Sequence, residues 1–224
     1  MIRWVILSLF TLWISGCQME TGHIPPGSRI LMMGDSALAW NKGQGASVGD
    51  ALARELGEPV VNRSRSGAKI SSVALSSFDI RAQYVPGPWQ WIVMNGGAND
   101  LAFECGCGAC QTTLNRLISP DGSVGEIPEF VAQIRFTGAH VVWMGYINPP
   151  QTGNLFSGCR RDVLELQARV ARMAARNPRV TFVRMRDAFP NTDHRFYALD
   201  QIHPSPLGSA ALARKLARAM REAK

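Results

Sequence analysis

Ile30-Leu31-Met32-Met33-Gly34-Asp35-Ser36 is the stretch that decides how the chain is read. Four consecutive apolar residues stop at a glycine, and an acid and a hydroxyl follow at once. A run this short and apolar throughout is a strand buried on both faces, as in a parallel sheet covered on two sides. Comparable runs lie at Pro59 to Asn62, Trp91 to Asn95, His140 to Gly145 and Val180 to Val183. Between and after them come helix-length stretches at Val48 to Leu56, Pro128 to Thr137, Arg161 to Arg176 and Leu207 to Ala223. Val163, Leu166, Val170 and Met173 recur at the spacing of one helical stripe, as do Leu212, Leu216 and Met220. Strands alternating with helices predict an α/β fold with a five-stranded parallel sheet. Ile70 to Gln83 is ambiguous, and Cys105 to Gly125 reads as a loop with turn signals at Pro120-Asp121-Gly122. There is no internal repeat and no interdomain linker.

Ligands of an open parallel sheet bind beyond the carboxyl ends of its strands, so the residues just past each run are where chemistry is expected. The first run is followed by Gly34-Asp35-Ser36, the second by Asn62 to Gly67 and the third by Gly96-Gly97-Ala98-Asn99-Asp100. Past the fifth, before the last helix, stand Asp200-Gln201-Ile202-His203. Acyl transfer needs a hydroxyl nucleophile, an imidazole to take its proton, an acid to orient the imidazole and donors for an oxyanion. Ser36, His203 and Asp200 supply the first three. The backbone near Ser36 and Gly67, with the side-chain amide of Asn99, supplies the donors.

These four segments resemble the signature blocks of the SGNH hydrolases, also called GDSL esterases and lipases. The resemblance covers residues 34 to 203 in matching order. It implies a three-layer α/β/α sandwich of flavodoxin-like type, hydrolysis through an acyl-enzyme, no metal and no organic cofactor. It also implies Ser36, Gly67, Asn99 and His203 as the four named positions. Two departures stand out. Ala37 replaces the leucine of the alternative family name, and a cysteine cluster from Cys105 to Cys110 follows the Asn99 block directly.

A competing nucleophile is Ser47, because Gly45-Ala46-Ser47-Val48-Gly49 fits the Gly-x-Ser-x-Gly elbow of other hydrolases. That elbow requires a strand before it, and Ala39 to Gln44 is too rich in Gly, Asn and Lys to be one. Ser47 is therefore read as a helix start. Gly43, Gly45 and Gly49 miss the spacing of a dinucleotide loop. His194 is read as a surface loop residue, and His23 and His140 as linker and strand-edge residues. Asp35 and Asp100 are read as holding turns.

With 224 residues and 46% hydrophobic content, the chain is sized for one domain. Its start decides the compartment. Arg3 precedes an apolar run from Trp4 to Ile14, too short for an ordinary spanning helix and of signal-peptide proportions. Ile14-Ser15-Gly16-Cys17 resembles the lipobox of bacterial lipoproteins, with Cys17 as the lipidated residue; a plain secretory signal is the alternative. The expected division is a signal at 1–16, a linker at 17–27 and the hydrolase domain at 28–224. Gln18 after the cysteine favours the outer membrane over the inner one, so the expected site is the periplasmic side of the cell envelope.

Cys105, Cys107, Cys110 and Cys159 then form an even set in an oxidising space, which predicts two disulfides. A four-thiolate zinc site is the rival. The pairing is open, with Cys105 to Cys107 disfavoured by its short loop. The net charge is +7, and much of it sits at Arg169, Arg172 and Arg176 and again from Arg214 to Lys224. These ridges read as solvated helix faces. No aromatic residues interleave with them, which argues against nucleic acid.

The expected activity is hydrolysis of carboxylic esters through acyl-Ser36, by a monomer acting on a small-molecule or glycan ester. An acyltransferase or a glycan O-acetyl esterase of the cell envelope is the alternative, and a silent glycan-binding module a more distant one. The loop from Tyr146 to Gly158 is expected to wall the acyl pocket, and no long apolar insertion suggests a lid, so short acyl groups are favoured.

Overall fold

The computed structural model describes residues 24–71 and 78–223. The signal-like segment, Cys17 and His23 lie outside them.

In chain order the elements are β1 (Ile30–Met33), α1 (Ser36–Ala39), α2 (Val48–Leu56), β2 (Val60–Asn62), β3 (Trp91–Met94), α3 (Ala98–Cys105), α4 (Gln111–Leu117), α5 (Glu126–Phe136), β4 (His140–Met144), α6 (Arg160–Ala175), β5 (Val180–Val183) and α7 (Pro206–Glu222). The five strands form one sheet in the order β2-β1-β3-β4-β5. All its pairs are parallel, with Ile30 opposite Val60 and Trp91, and Trp91 opposite His140. This is the flavodoxin-like order expected from the resemblance, and every expected strand is present.

Successive residues of a strand point to opposite faces, so each apolar run feeds two cores. Leu31, Met33, Ile92, Met94, Val141 and Trp143 pack against residues of α3, α4, α5 and α6. Ile30, Met32, Trp91, Val93, Val142 and Met144 pack against α2 and α7. The result is three layers. On α7, Leu212, Leu216 and Met220 are almost fully buried, each contributing about 1.5–3 kcal/mol of transfer free energy.

Local signals set the helix ends. Ser47 accepts from Asp50 N while Asp50 accepts from Ser47 N, a reciprocal box that starts α2 and assigns Ser47 to capping. Ser205 caps α7, with Pro206 in its first turn.

Two expectations change. The segment read as a loop from Cys105 to Gly125 contains α4, whose Thr113, Leu114 and Leu117 are buried. Seven residues cover only two turns, too few for helical periodicity to declare itself between cysteines and a turn. Arg169, expected on a solvated ridge, is 2% exposed. Its guanidinium donates to Asn115 Oδ1 and the Ile118 carbonyl, both at 2.8 Å, and to Glu165 at 2.7 Å. Arg172 donates to the Pro120 carbonyl and Arg176 to Asp121. The ridge clasps the turn after α4, and Arg169 satisfies the Ile118 carbonyl that the helix end leaves open.

The four cysteines pair as Cys105–Cys110 and Cys107–Cys159, with Cα separations of 5.2 and 4.4 Å. The second bond ties the end of α3 to the start of α6.

The chain leaves β1 for β2 on one side and for β3, β4 and β5 on the other. The reversal opens a crevice at the carboxyl ends of β1 and β3, where open α/β sheets hold their ligands.

Candidate active site

The turn that delivers Ser36 is built on close approach. Gly34 has φ +150, and a Cβ there would stand 1.9 Å from Asn95 Oδ1, so only glycine lets β1 end beside β3. Asn95 fills the gap as a two-way link: its Oδ1 accepts from Asp35 N at 3.0 Å and its Nδ2 donates to Asp35 Oδ1 at 2.7 Å. Gln83 does the same for Gly34, accepting from its N at 2.6 Å and donating to its carbonyl at 2.9 Å. Asp35 Oδ1 also accepts from Ala37 N at 2.9 Å, capping α1. Ser36 is the first residue of that helix and half-buried.

Asp35 itself is sealed in. Burial pushes its carboxyl pKa up, against hydrogen bonds from Tyr146, Ala37 and Asn95 that pull it down. It holds the turn, as the sequence suggested. Asp100 does likewise on α3, accepting from Ile70 N at 3.1 Å and Ser71 N at 2.8 Å, and burial raises its pKa too.

His203 and Asp200 meet within one loop. Imidazole Nδ1 lies 2.6 Å from Asp200 Oδ2, while Asp200 Oδ1 accepts from Ile202 N at 2.9 Å and His203 N at 3.0 Å. Partial burial raises the Asp200 pKa, but those three hydrogen bonds and the nearby imidazole outweigh it, and the net shift is downward. A carboxylate kept ionised against Nδ1 selects the tautomer whose Nε2 can take a proton.

Asn99 lies in the first turn of α3 and is 6% exposed, its Nδ2 donating to the Ala68 carbonyl at 2.9 Å. Gly67, next to that carbonyl, has φ +77.

Ser36, Asn99 and His203 line one pocket of ≈ 100 Å³. Gly67 is not among its lining residues. Tyr146, Pro149, Asn154 and Phe156 also line it, from the loop expected to do so, while Leu155 in the same loop is exposed. His194 sits in a surface turn with Nδ1 2.6 Å from Gln201 Oε1, and His140 pairs with Thr181 on the strand edge.

Asn95, Gln83 and Trp40 take part without having been singled out from the sequence. Asn95 could have been, as a polar residue closing an apolar strand beside the Gly96-Gly97 turn. Trp40 could not: its indole stacks on the His203 ring, centroids 3.8 Å apart and planes 8° off parallel, across 163 residues of sequence that carry no local pattern linking them.

A sequence profile of the family described as GDSL-like Lipase/Acylhydrolase matches residues 32–211. A search of curated proteins finds no match. Among solved structures, a Lactobacillus plantarum protein is similar at TM-score 0.66 and 23% identity, over 87% of this chain and 97% of that one. A carbohydrate acetylesterase family member from Sinorhizobium meliloti gives 0.62 and 16%, over 87% and 97%. A family two carbohydrate esterase from Clostridium thermocellum, solved in complex with cellohexaose, gives 0.54 and 19%, over 86% of this chain and 63% of that one. At these identities the likeness is one of fold.

Proposed function

As this chain belongs to the GDSL-like lipase/acylhydrolase family, we propose that it hydrolyses carboxylic esters through an acyl intermediate on Ser36. The observation that carries the reading is the meeting of Ser36, Asn99 and His203 in one pocket, with Asp200 on the far nitrogen of the imidazole. His203 Nε2 takes the Ser36 proton as Oγ adds to the carbonyl carbon, and Asp200 stabilises the imidazolium that forms. The oxyanion meets the backbone N–H of Ser36 and the side-chain amide of Asn99, both of which line the pocket. Among the described residues Ala68 alone accepts from that amide, through one hydrogen, which leaves the other for the oxyanion. Collapse expels the alcohol, which takes the proton from Nε2. Water then adds to the acyl carbon, its proton passing to the imidazole, and the acid leaves as Ser36 recovers its proton.

The pocket of ≈ 100 Å³ is small against ligand sites of about 300–1,000 Å³, which supports a short acyl group. The carbohydrate-esterase neighbours support a second reading, an acetylated glycan as substrate. An alcohol acceptor in place of water would make the same intermediate an acyltransferase's. Two disulfides support export, since such bonds persist in oxidising spaces. With the lipobox-like Ile14-Ser15-Gly16-Cys17, they support anchoring through Cys17 in the cell envelope, and Gln18 after the cysteine favours the outer membrane.

A serine-directed fluorophosphonate followed by peptide mass spectrometry tests the nucleophile: the adduct is expected on Ser36, and labelling at Ser47 would sink the reading. Nitrophenyl esters of increasing chain length, run beside an acetylated polysaccharide with and without alcohol acceptors, sort the substrate classes. Metabolic labelling with a lipid precursor, compared between the native chain and Cys17→Ser, tests the anchor.

A further inference from the structure

We propose that Trp40 and Asn41 form a positioning clamp that holds the His203 imidazole in register with Ser36. The inference rests on the ester-hydrolase reading and deepens it.

The hydrogen bond from Nδ1 to Asp200 fixes one point of the imidazole but not its plane. A ring held at one edge can still tilt, and the direction of Nε2 tilts with it. The indole of Trp40 lies face-on against that ring, centroids 3.8 Å apart and planes 8° from parallel, which supplies the missing constraint. Edge and face together define where Nε2 points.

The clamp is tied to the nucleophile at one end and to the base at the other. Trp40 N donates to the Ser36 carbonyl at 2.9 Å, closing the single turn of α1, so the indole and the serine ride on one rigid piece of backbone. The next residue, Asn41, sits at φ +65 and donates through Nδ2 to the Pro204 carbonyl at 3.0 Å and to Ser209 Oγ at 3.2 Å. Pro204 directly follows His203, and Ser209 is a fully buried residue of α7. Two adjacent residues therefore grip the histidine loop at ring and backbone. A left-handed conformation outside glycine costs free energy and persists where neighbouring contacts impose it; here Asn tolerates it while its amide makes the grip.

The stack also bears on charge. His203 becomes a cation as Ser36 loses its proton, and a π face parallel to a cationic ring attracts it, indole most strongly. Trp40 is not among the residues lining the pocket, so it acts through His203.

The test compares Trp40→Leu, Trp40→Phe and Asn41→Gly. Glycine keeps the left-handed backbone while removing the amide. Among the described residues, Asp200 at Nδ1, Asp35 in the α1 turn and Arg160 on the pocket wall are charged groups around the imidazole, and all remain in every variant. Trp40→Leu is expected to lower kcat on the order of tenfold or more, with KM little changed. It should also move the acid limb of kcat/KM to lower pH by roughly half a unit, since the imidazolium loses its π partner. Trp40→Phe should recover most of both effects, and Asn41→Gly should lower kcat without moving the limb. The His203 ring titration followed by NMR should shift in the same direction in Trp40→Leu, whatever the substrate. Leu and Phe variants alike in kcat and in that titration would overturn the proposal. A native protein without serine-dependent ester turnover would overturn the ester reading instead, and the NMR comparison would still decide the stack.

Discussion

The Tyr146 hydroxyl, just past β4, donates to Asp35 Oδ2, just past β1, at 2.5 Å, and accepts from Ala98 N at 3.2 Å. One phenol thus joins the turn that carries Ser36 to the helix start that carries Asn99. Burial and the charge of Asp35 both push the Tyr146 pKa well above the ordinary value, so it stays a donor at any working pH.

Tyr146→Phe removes that donor and leaves Asp35 Oδ2 and Ala98 N short of a partner. An unsatisfied buried group costs about 1–3 kcal/mol, and urea unfolding at neutral pH should show a loss of that order. A change below a few tenths would mean that solvent replaces the phenol.

Stability against pH follows from the sign of the Asp35 shift. Burial raises its folded-state pKa, so its contribution is fully present below the unfolded value of about 3.9 and is lost as pH rises through the folded value. The native chain should therefore gain stability relative to Asp35→Asn as pH is lowered across that window. Asp100 shifts in the same direction but is common to both proteins and cancels. Parallel stability curves would show that Asp35 does not titrate differently on folding.

Asn99→Ala should reduce kcat on the order of a hundredfold if its free amide hydrogen meets the oxyanion. The variant also strips the Ala68 carbonyl of its donor, so kcat is to be measured well below the melting temperature. A rate near that of the native chain would remove Asn99 from the oxyanion site.

Ser36 and Ser47 should separate cleanly. Ser36→Ala is expected to abolish turnover with little loss of stability, whereas Ser47→Ala removes a cap worth about 1 kcal/mol and leaves turnover intact. Thermal melts beside an aryl-ester assay read both, and swapped behaviour would reassign the nucleophile.

The two disulfides should differ in weight. The Cys107–Cys159 bond spans 52 residues and the Cys105–Cys110 bond only 5. In the chain-entropy account the first is worth about 4 kcal/mol and the second about 2. Denaturation of the paired serine variants measures each, and an equal loss from both would contradict that account.

Much of this molecule could be read from local pattern. Ile30 to Met33 announces a strand because both faces of that strand are covered, and α6 and α7 announce themselves by apolar stripes that recur within helices of 16 and 17 residues. The site blocks could be read for the same reason: Gly34, Asn99 and His203 follow elements whose ends are locally encoded. Where periodicity had no room, as in α4, the reading failed. It failed as well at Arg169, because helix geometry says which face a residue occupies but not what packs on that face.

By itself, then, the sequence determined the alternation of strands and helices, the four blocks that sit past strand ends, and the capping role of Ser47, since each depends on residues within a turn or two of one another. Tertiary structure alone decided the contacts that couple those blocks: Tyr146 on Asp35, Asn95 on the Gly34 turn, Arg169 under α4, the cysteine pairing, and Trp40 on His203. Each joins side chains far apart in the chain, and their meeting depends on sheet order and on how loops pack at one edge, which no local periodicity records.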